Sequence, residues 1–307
     1  MIKTANLQNE IINLSNELVM VDNVNLPFSS LLLNKGTDKI SSIYATWKNE
    51  NLDPSKKLSL EGGDITEFQT SARTTDKNIC QIITKGVNIS DTANVVGLEG
   101  INDLFTHELQ NRMTELKRDL EHYLINGVYT EENGATPRQM KGLINFVTED
   151  NKIKFGAGGL SGEELTNACK LMRKNGTSSQ NLILLCDYLT TDAINQIFVD
   201  KVRYMETNEF GLPVLKINFA YGSAYIYTVD SLPENTCLMV NMDYLSLGEL
   251  RPLIYNDLAK TGDSRKGYIV CENTLKVTNP NAVVMVYGDP VSTIALNSTK
   301  TTSKASK

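Results

Sequence analysis

The strongest pattern in the 307-residue chain is an apolar stripe of helical period. Ile101, Phe105, Leu109, Met113, Leu116, Leu120 and Leu124 recur at steps of three and four, which places them on one helix face. Asn126-Gly127 supplies a C-terminal stop. Read from about Val95 to Leu124, the pattern predicts a helix on the order of 45 Å long, more than twice the ordinary length. Glu108 with Arg112, and Lys117 with Glu121, stand at i,i+4 spacing on its wet flanks. The two histidines, His107 and His122, project away from the stripe toward water or a partner, too far apart to share a metal.

Before this helix the period shortens to two. Ile43, Ala45 and Trp47 alternate with Tyr44, Thr46 and Lys48, as a strand requires. ICQIITKGVNI, residues 79–89, is a second β-rich run in the same hairpin-like unit, with Gly86 marking a bulge or close approach. Between them residues 49–77 are polar, mixed in charge and poor in large apolar groups. Such a long connection is either a surface loop or an arm that orders against another subunit. Residues 1–36 read as a leading arm. Leu7, Ile11, Leu14 and Leu18 keep helical spacing, and Pro27 precedes an apolar cluster, Phe28 and Leu31–Leu33, that needs a surface to pack on.

From Asn151 the element types alternate. Ser161 and Glu164 form a capping box opening a helix through Leu171 and Met172, closed at Asn175-Gly176. LILLC (182–186) reads as a buried strand and Thr191–Phe198 as a helix. Strands follow in VLKINFA, SAYIYTV, NTCLMVNM, YLSLGELRPLIYN, KGYIVCENTLKV and NAVVMVYG. STKTTSKASK at the end is low in complexity and expected to be flexible. The fold class is α+β.

Composition narrows the function. At 41% hydrophobic and 21% charged the chain is ordinary globular sequence, without a run near the roughly 18 apolar residues of a membrane span. Its start lacks the apolar core of a signal peptide, so synthesis in a cytoplasm is expected. A net charge of −6 disfavours tight, sequence-independent binding to nucleic acid. Cys80, Cys169, Cys186, Cys237 and Cys271 are odd in number and scattered, which reads as buried thiols rather than a metal or disulfide framework. GAGGLSG (156–162) lacks the further glycine of a dinucleotide fingerprint and the Gly-Lys-Ser/Thr of a P-loop. EGGD (61–64) lacks the alternating oxygen ligands of a calcium loop, and no GxSxG elbow presents a nucleophile. Arg138 is a loop arginine suited to a structural or intersubunit bond. The reading is of a non-enzyme with no cofactor and no metal.

LPFSSLLL, WKNENL, the EGGD loop, QIITKGVNIS, ELKRDLEHYLINGVY, ATPRQMKGL and LRPLIYNDLAKTGDSRKGYIVCENTLKVTNPNA occur in the order of one family. From about Leu26 to Gly288 the chain resembles the major capsid proteins of tailed bacteriophages in the SU10 branch. The resemblance implies the Hong Kong 97-type fold. It places an N-terminal arm at 1–38, an extended two-stranded loop at 39–91 and a peripheral domain with its spine helix at 92–141. An axial domain follows at 142–262, then peripheral return strands at 263–288 and a flexible tail at 289–307. It implies a structural protein that self-assembles, as pentamers and hexamers, into an icosahedral virion shell built in the host cytoplasm. The shell encloses double-stranded DNA without sequence-specific binding and without a membrane. A scaffold would be a separate protein, joined by a portal and decoration proteins. Candidate intersubunit contacts are Trp47, Lys56, Lys57, Glu61, Glu67, Arg73, Arg112, Arg118 and Arg138, with Glu115 and Glu121 as further charges on the helix flank. Two alternatives stay open: a cellular nanocompartment shell of the encapsulin type, and a soluble α+β enzyme or binding protein whose long loop is a lid.

Overall fold

In a computed structural model of the protein, the structure describes residues 25–52, 58, 61–64, 68, 70–96, 103–156, 159–177, 181–202, 216–260 and 262–289. In chain order the first elements are α1 (Pro27–Lys35), β1 (Thr37–Lys39), β2 (Tyr44–Asn51), β3 (Ala72–Ile79) and β4 (Gln81–Ser90). Next come α2 (Asp91–Val96), α3 (Leu104–Asn126), α4 (Leu143–Phe146), β5 (Lys152–Lys154) and α5 (Gly162–Lys174). The chain continues with β6 (Leu182–Cys186), α6 (Tyr188–Val202), β7 (Lys216–Phe219), β8 (Gly222–Thr228) and β9 (Thr236–Asn241). It ends with β10 (Leu245–Asp257), β11 (Ser264–Val277) and β12 (Val283–Tyr287). Two compact units result, one from residues 1–146 with 244–279, the other from 147–243 with 280–307.

The first unit is built on a four-stranded sheet of order β1-β10-β11-β4. β10 and β11 pair antiparallel from Leu245↔Val277 to Asp257↔Gly267, and β11 pairs antiparallel with β4. Helix α3 lies on this sheet, burying Phe105, Leu116, Leu120 and Leu124 of the apolar stripe. Lys85 on β4 reaches Asp119 on α3 at 2.6 Å, tying helix to strand at the margin of the core. Phe28 and Leu32 of α1 are fully buried, and α1 packs on α3 and β10, which supplies the surface that the LPFSSLLL cluster required.

Several expectations are corrected here. The long helix begins at Leu104, not near Val95, because Asp103 is its N-cap and accepts from the N–H groups of Phe105 and Thr106 at 3.1 and 3.3 Å. Its 23 residues span about 35 Å. Residues 91–96 form the separate α2, with Val95 and Val96 exposed, and Ile101 lies outside the described residues. The strand paired with β2 is β3, from Tyr44↔Ile79 to Asn51↔Ala72, whereas the apolar run 81–90 joins the four-stranded sheet. Gly86 sits opposite Tyr268 in an unbroken ladder rather than at a bulge. The Leu7–Leu18 pattern and most of the C-terminal tail lie outside the described residues.

The second unit holds a mixed sheet of order β5-β12-β9-β6-β8-β7. Leu165, Cys169 and Met172 of α5 pack on Leu184, Cys186, Met239, Val284 and Val286 from its central strands. The capping box is as read from the sequence: Ser161 accepts from the Glu163 N–H, and Glu164 accepts from the Ser161 N–H at 3.0 Å. Helix α6 starts earlier than Thr191, because the buried Asp187 accepts the Thr190 N–H at 3.0 Å. Two segments fall on the other side of the boundaries implied by the resemblance. Residues 244–262 belong to the first unit, because β10 pairs with β11. Residues 280–288 belong to the second, because β12 pairs with β9. All five cysteines are buried free thiols.

Candidate functional site

The feature that sets the first unit apart is the ribbon formed by β2 and β3, a two-stranded sheet of its own. Its base is anchored. Ala45, Trp47 and Ile79 are buried there, and the Trp47 ring lies 6.3 Å from that of Phe146. The buried Asn78 amide donates to the carbonyls of Leu275 and Lys141 at 2.7 and 3.0 Å and accepts the Lys141 N–H at 2.8 Å. Lys77 meets Glu131 at 3.1 Å and lies over the rings of Tyr44 and Tyr129. The Glu131 hydrogen bond holds the Lys77 ammonium above its usual range, while the Tyr129 hydroxyl, then Lys77, holds Glu131 below its own.

Beyond that base the ribbon is exposed. Lys48, Glu50 and Arg73 to Thr75 face outward, and Arg73 meets Glu50 across the strands at 3.2 Å. A pair this open, with side chains 72% and 46% exposed, contributes little to the fold. At the loop end Leu52 is 82% exposed and Phe68 86%, and Leu58 is fully exposed. Glu61 stands on an exposed turn whose next residue, Gly62, has a φ of 76° that glycine adopts without strain. Lys56, Lys57 and Glu67 lie outside the described residues.

The α3 flank presents a second set of charges. Arg112 is held by Glu108 at 3.3 Å and Glu115 at 2.7 Å, and Arg118 is exposed. His122 is exposed and His107 half-buried. Glu121, expected on the wet flank, is instead fully buried, its carboxylate accepting the N–H groups of Phe28 at 3.0 Å and Ser29 at 2.5 Å. Arg138 also turns inward. Its side chain is 12% exposed and 2.9 Å from the buried Glu272, which also meets Arg251. Nearby, burial pushes the Cys80 thiol up to about 11.

Sequence reasoning therefore found Glu61, Arg73, Arg112 and Arg118 on outward surfaces but placed Trp47 and Glu121 there too, where the fold buries them, while Arg138 makes the structural bond that was one of its two readings. It missed Leu52, Leu58 and Phe68, whose signal was visible: they are large apolar residues in a mostly polar loop that also carries Leu60 and Ile65. Among the described residues no three His, Cys, Asp or Glu side chains come together to hold a metal, and no helix is long and apolar enough to cross a membrane.

Comparison with known proteins places this geometry. A family model described as SU10 major capsid protein matches residues 1–288. The major capsid protein of Escherichia phage Phieco32 is 28% identical over 103 residues, 33% of this chain, and the match spans 28% of that relative's length. The capsid asymmetric unit of cyanophage A-1(L) superposes with a TM-score of 0.71 at 13% identity, over 93% of this chain and 98% of that one. The capsid of a native GTA particle gives 0.67 at 11% identity, over 93% and 96%. The holo-SrpI encapsulin complex of Synechococcus elongatus gives 0.57 at 10% identity, over 89% and 92%. At these identities the likeness shows the fold, the Hong Kong 97-type shell fold that the sequence resemblance implied.

Proposed function

The chain belongs to the SU10 major capsid protein family, and from that premise we propose that many copies of it tile the icosahedral shell of a tailed-phage head. The observation that carries this reading is a family match over 288 of the chain's 307 residues. The ribbon supports it: a structure anchored at its base and exposed beyond, ending in uncovered leucine and phenylalanine, reaches for a surface outside its own unit. Heterologous contacts of this kind close into rings, as pentamers and hexamers require.

In this reading the first unit corresponds to the peripheral domain with its arm, loop and spine helix, and the second to the axial domain. The contacts offered to neighbours are the loop, with Leu52, Leu58, Glu61 and Phe68, the outer ribbon with Arg73, and the α3 flank with Arg112 and Arg118. The loop charges Lys56, Lys57 and Glu67 join them on sequence grounds. The net charge of −6 suits a container that holds double-stranded DNA without gripping it. Scaffold, portal and decoration proteins are separate partners, and the work of the chain is structural rather than catalytic.

Electron microscopy of the chain co-expressed with a scaffold tests the reading, with a Leu52→Ser/Phe68→Ser variant alongside. The native chain forms uniform closed shells. The variant keeps its circular dichroism, because both side chains are already in water, but yields at least about tenfold fewer shells, since each copy forfeits roughly 2 kcal/mol per large apolar contact. Unchanged shell yield would remove the loop from the interface. A compact monomer under every condition would overturn the capsid reading itself. Shells that fill with a host enzyme instead of DNA would move it to the nanocompartment class.

A further inference from the structure

Cys186 closes β6 and Cys237 lies near the start of β9, and the antiparallel register sets them directly opposite one another. The Asp187 N–H donates to the Thr236 carbonyl at 3.3 Å, so the two cysteines form a non-hydrogen-bonded pair. At such pairs opposed side chains stand closest, with Cα atoms about 4.5 Å apart, inside the roughly 4.4–6.8 Å that a disulfide spans. Their sulfur atoms are 3.6 Å apart, and both side chains are fully buried on the core face shared by Leu184 and Met239. Burial pushes the Cys237 thiol well up, and its contact with Cys186 adds to this.

We infer that Cys186 and Cys237 are a latent cross-strand disulfide of the second unit, closed by a small neutral peroxide after the particle leaves its host. Once local opening admits water, one thiol gives up its proton and the thiolate attacks hydrogen peroxide; its sulfur gives up two electrons as the O–O bond breaks, the hydroxide released takes up the proton, and a sulfenic acid and one water result. The facing thiol then attacks that sulfur, the S–O bond breaks, and the S–S bond forms as a second water departs with the remaining proton. Net, two thiols and one peroxide give one disulfide and two waters. A small uncharged oxidant is the fitting class, because a core this closed admits little else, and the reaction waits on local opening at the strand ends. The bridge closes a loop that contains α6, β7 and β8, and so opposes opening of that half of the sheet. The passage from a reducing cytoplasm to an oxidising exterior rests on the capsid reading; the chemistry of the pair does not.

The purified full-length chain, freed of reductant and treated with hydrogen peroxide, is quenched, denatured, alkylated and weighed. Five alkylatable thiols should fall to three, reversibly with reductant, and a non-reduced peptide map should join Cys186 to Cys237. The thermal midpoint should rise by roughly 10 °C. Cys186→Ala should abolish the paired loss. Should that variant not fold, Cys80→Ala, which leaves the pair intact, should fall from four thiols to two. Five thiols surviving, a bridge between other cysteines, or irreversible sulfinic acid at Cys186 or Cys237 would overturn the inference. Because the free chain is measured, such a failure leaves the capsid reading untouched, and a failure to form shells leaves the thiol count untouched.

Discussion

The carboxylate of Glu121 on α3 accepts the Phe28 N–H at 3.0 Å, and so caps a helix that its own sequence leaves uncapped. Leu26 occupies the N-cap of α1 and offers no side-chain acceptor, and Pro27 has no N–H to satisfy. The orphan donors of Phe28 and Ser29 instead reach the two oxygens of one buried carboxylate, whose charge also suits the positive end of the helix. Glu121→Ala leaves two buried donors unpaired and should cost about 3 kcal/mol. Glu121→Gln, which retains one acceptor oxygen, should cost less. Guanidinium denaturation checks both, and an alanine cost below about 0.5 kcal/mol would mean that water replaces the latch.

Gly127 and Gly142 meet where the chain leaves α3 and later returns. The Gly142 N–H donates to the Gly127 carbonyl at 2.7 Å. A Cβ on Gly142 would stand 2.4 Å from the Gly127 nitrogen and 2.7 Å from the Ile125 carbonyl oxygen, all unyielding backbone. Gly142→Ala should therefore destabilise the protein by roughly 3 kcal/mol or more. Gly134→Ala is the control: φ there is 49° and nothing lies within 4 Å, so only the left-handed backbone strain of about 1 kcal/mol remains. Equal melting temperatures for the two variants would refute the close-approach account.

What the sequence disclosed divides along physical lines. The stripe Phe105–Leu124, the Ser161–Glu164 capping box and the LILLC strand were legible because each is local and has one apolar face or one cap. β3 was not, because ARTTDKNI forms a ribbon exposed over most of its length, and a strand with little buried face carries no period. The start of α3 was misplaced because Val95 and Val96 imitate core residues while standing in water. Glu121 was misread because its partners are backbone donors 92 and 93 residues away, which leave no trace in side-chain spacing. The allocation of β10 and β12 to different units likewise rests on pairings that only the fold reveals.

Glu272 lies between Arg138 and Arg251 with its side chain 7% exposed. Removing its charge leaves the Arg138 guanidinium, 12% exposed, without its buried counter-ion. Glu272→Gln should cost roughly 3 kcal/mol, well above the worth of an exposed pair. Arg73→Ala on the open ribbon should change stability by less than about 0.5 kcal/mol, because its pair with Glu50 is screened by water. Parallel urea titrations decide, and a Glu272→Gln cost no larger than that of Arg73→Ala would show that the buried network contributes no more than a surface contact.

Acid should weaken the helix starts. The Thr106 hydroxyl, donating to Asp103 at 2.6 Å, holds that carboxyl below the usual carboxylate range, and the backbone N–H of Thr106 adds to it. The Ser161 hydroxyl does the same for Glu164. Both groups bind protons less readily folded than unfolded, so their stabilisation is complete above the ordinary carboxylate values near about 4 and disappears as pH falls through the lowered ones. Thermal midpoints followed by circular dichroism should be level from pH 7 to pH 5 and decline from about pH 4 downward. Asp103→Asn keeps an acceptor for the Phe105 and Thr106 N–H groups but does not titrate. Its midpoint at neutral pH should stay close to that of the native chain, and its decline in acid should be shallower. An identical acid slope in the variant would mean that protonation of the α3 cap plays no part in acid unfolding.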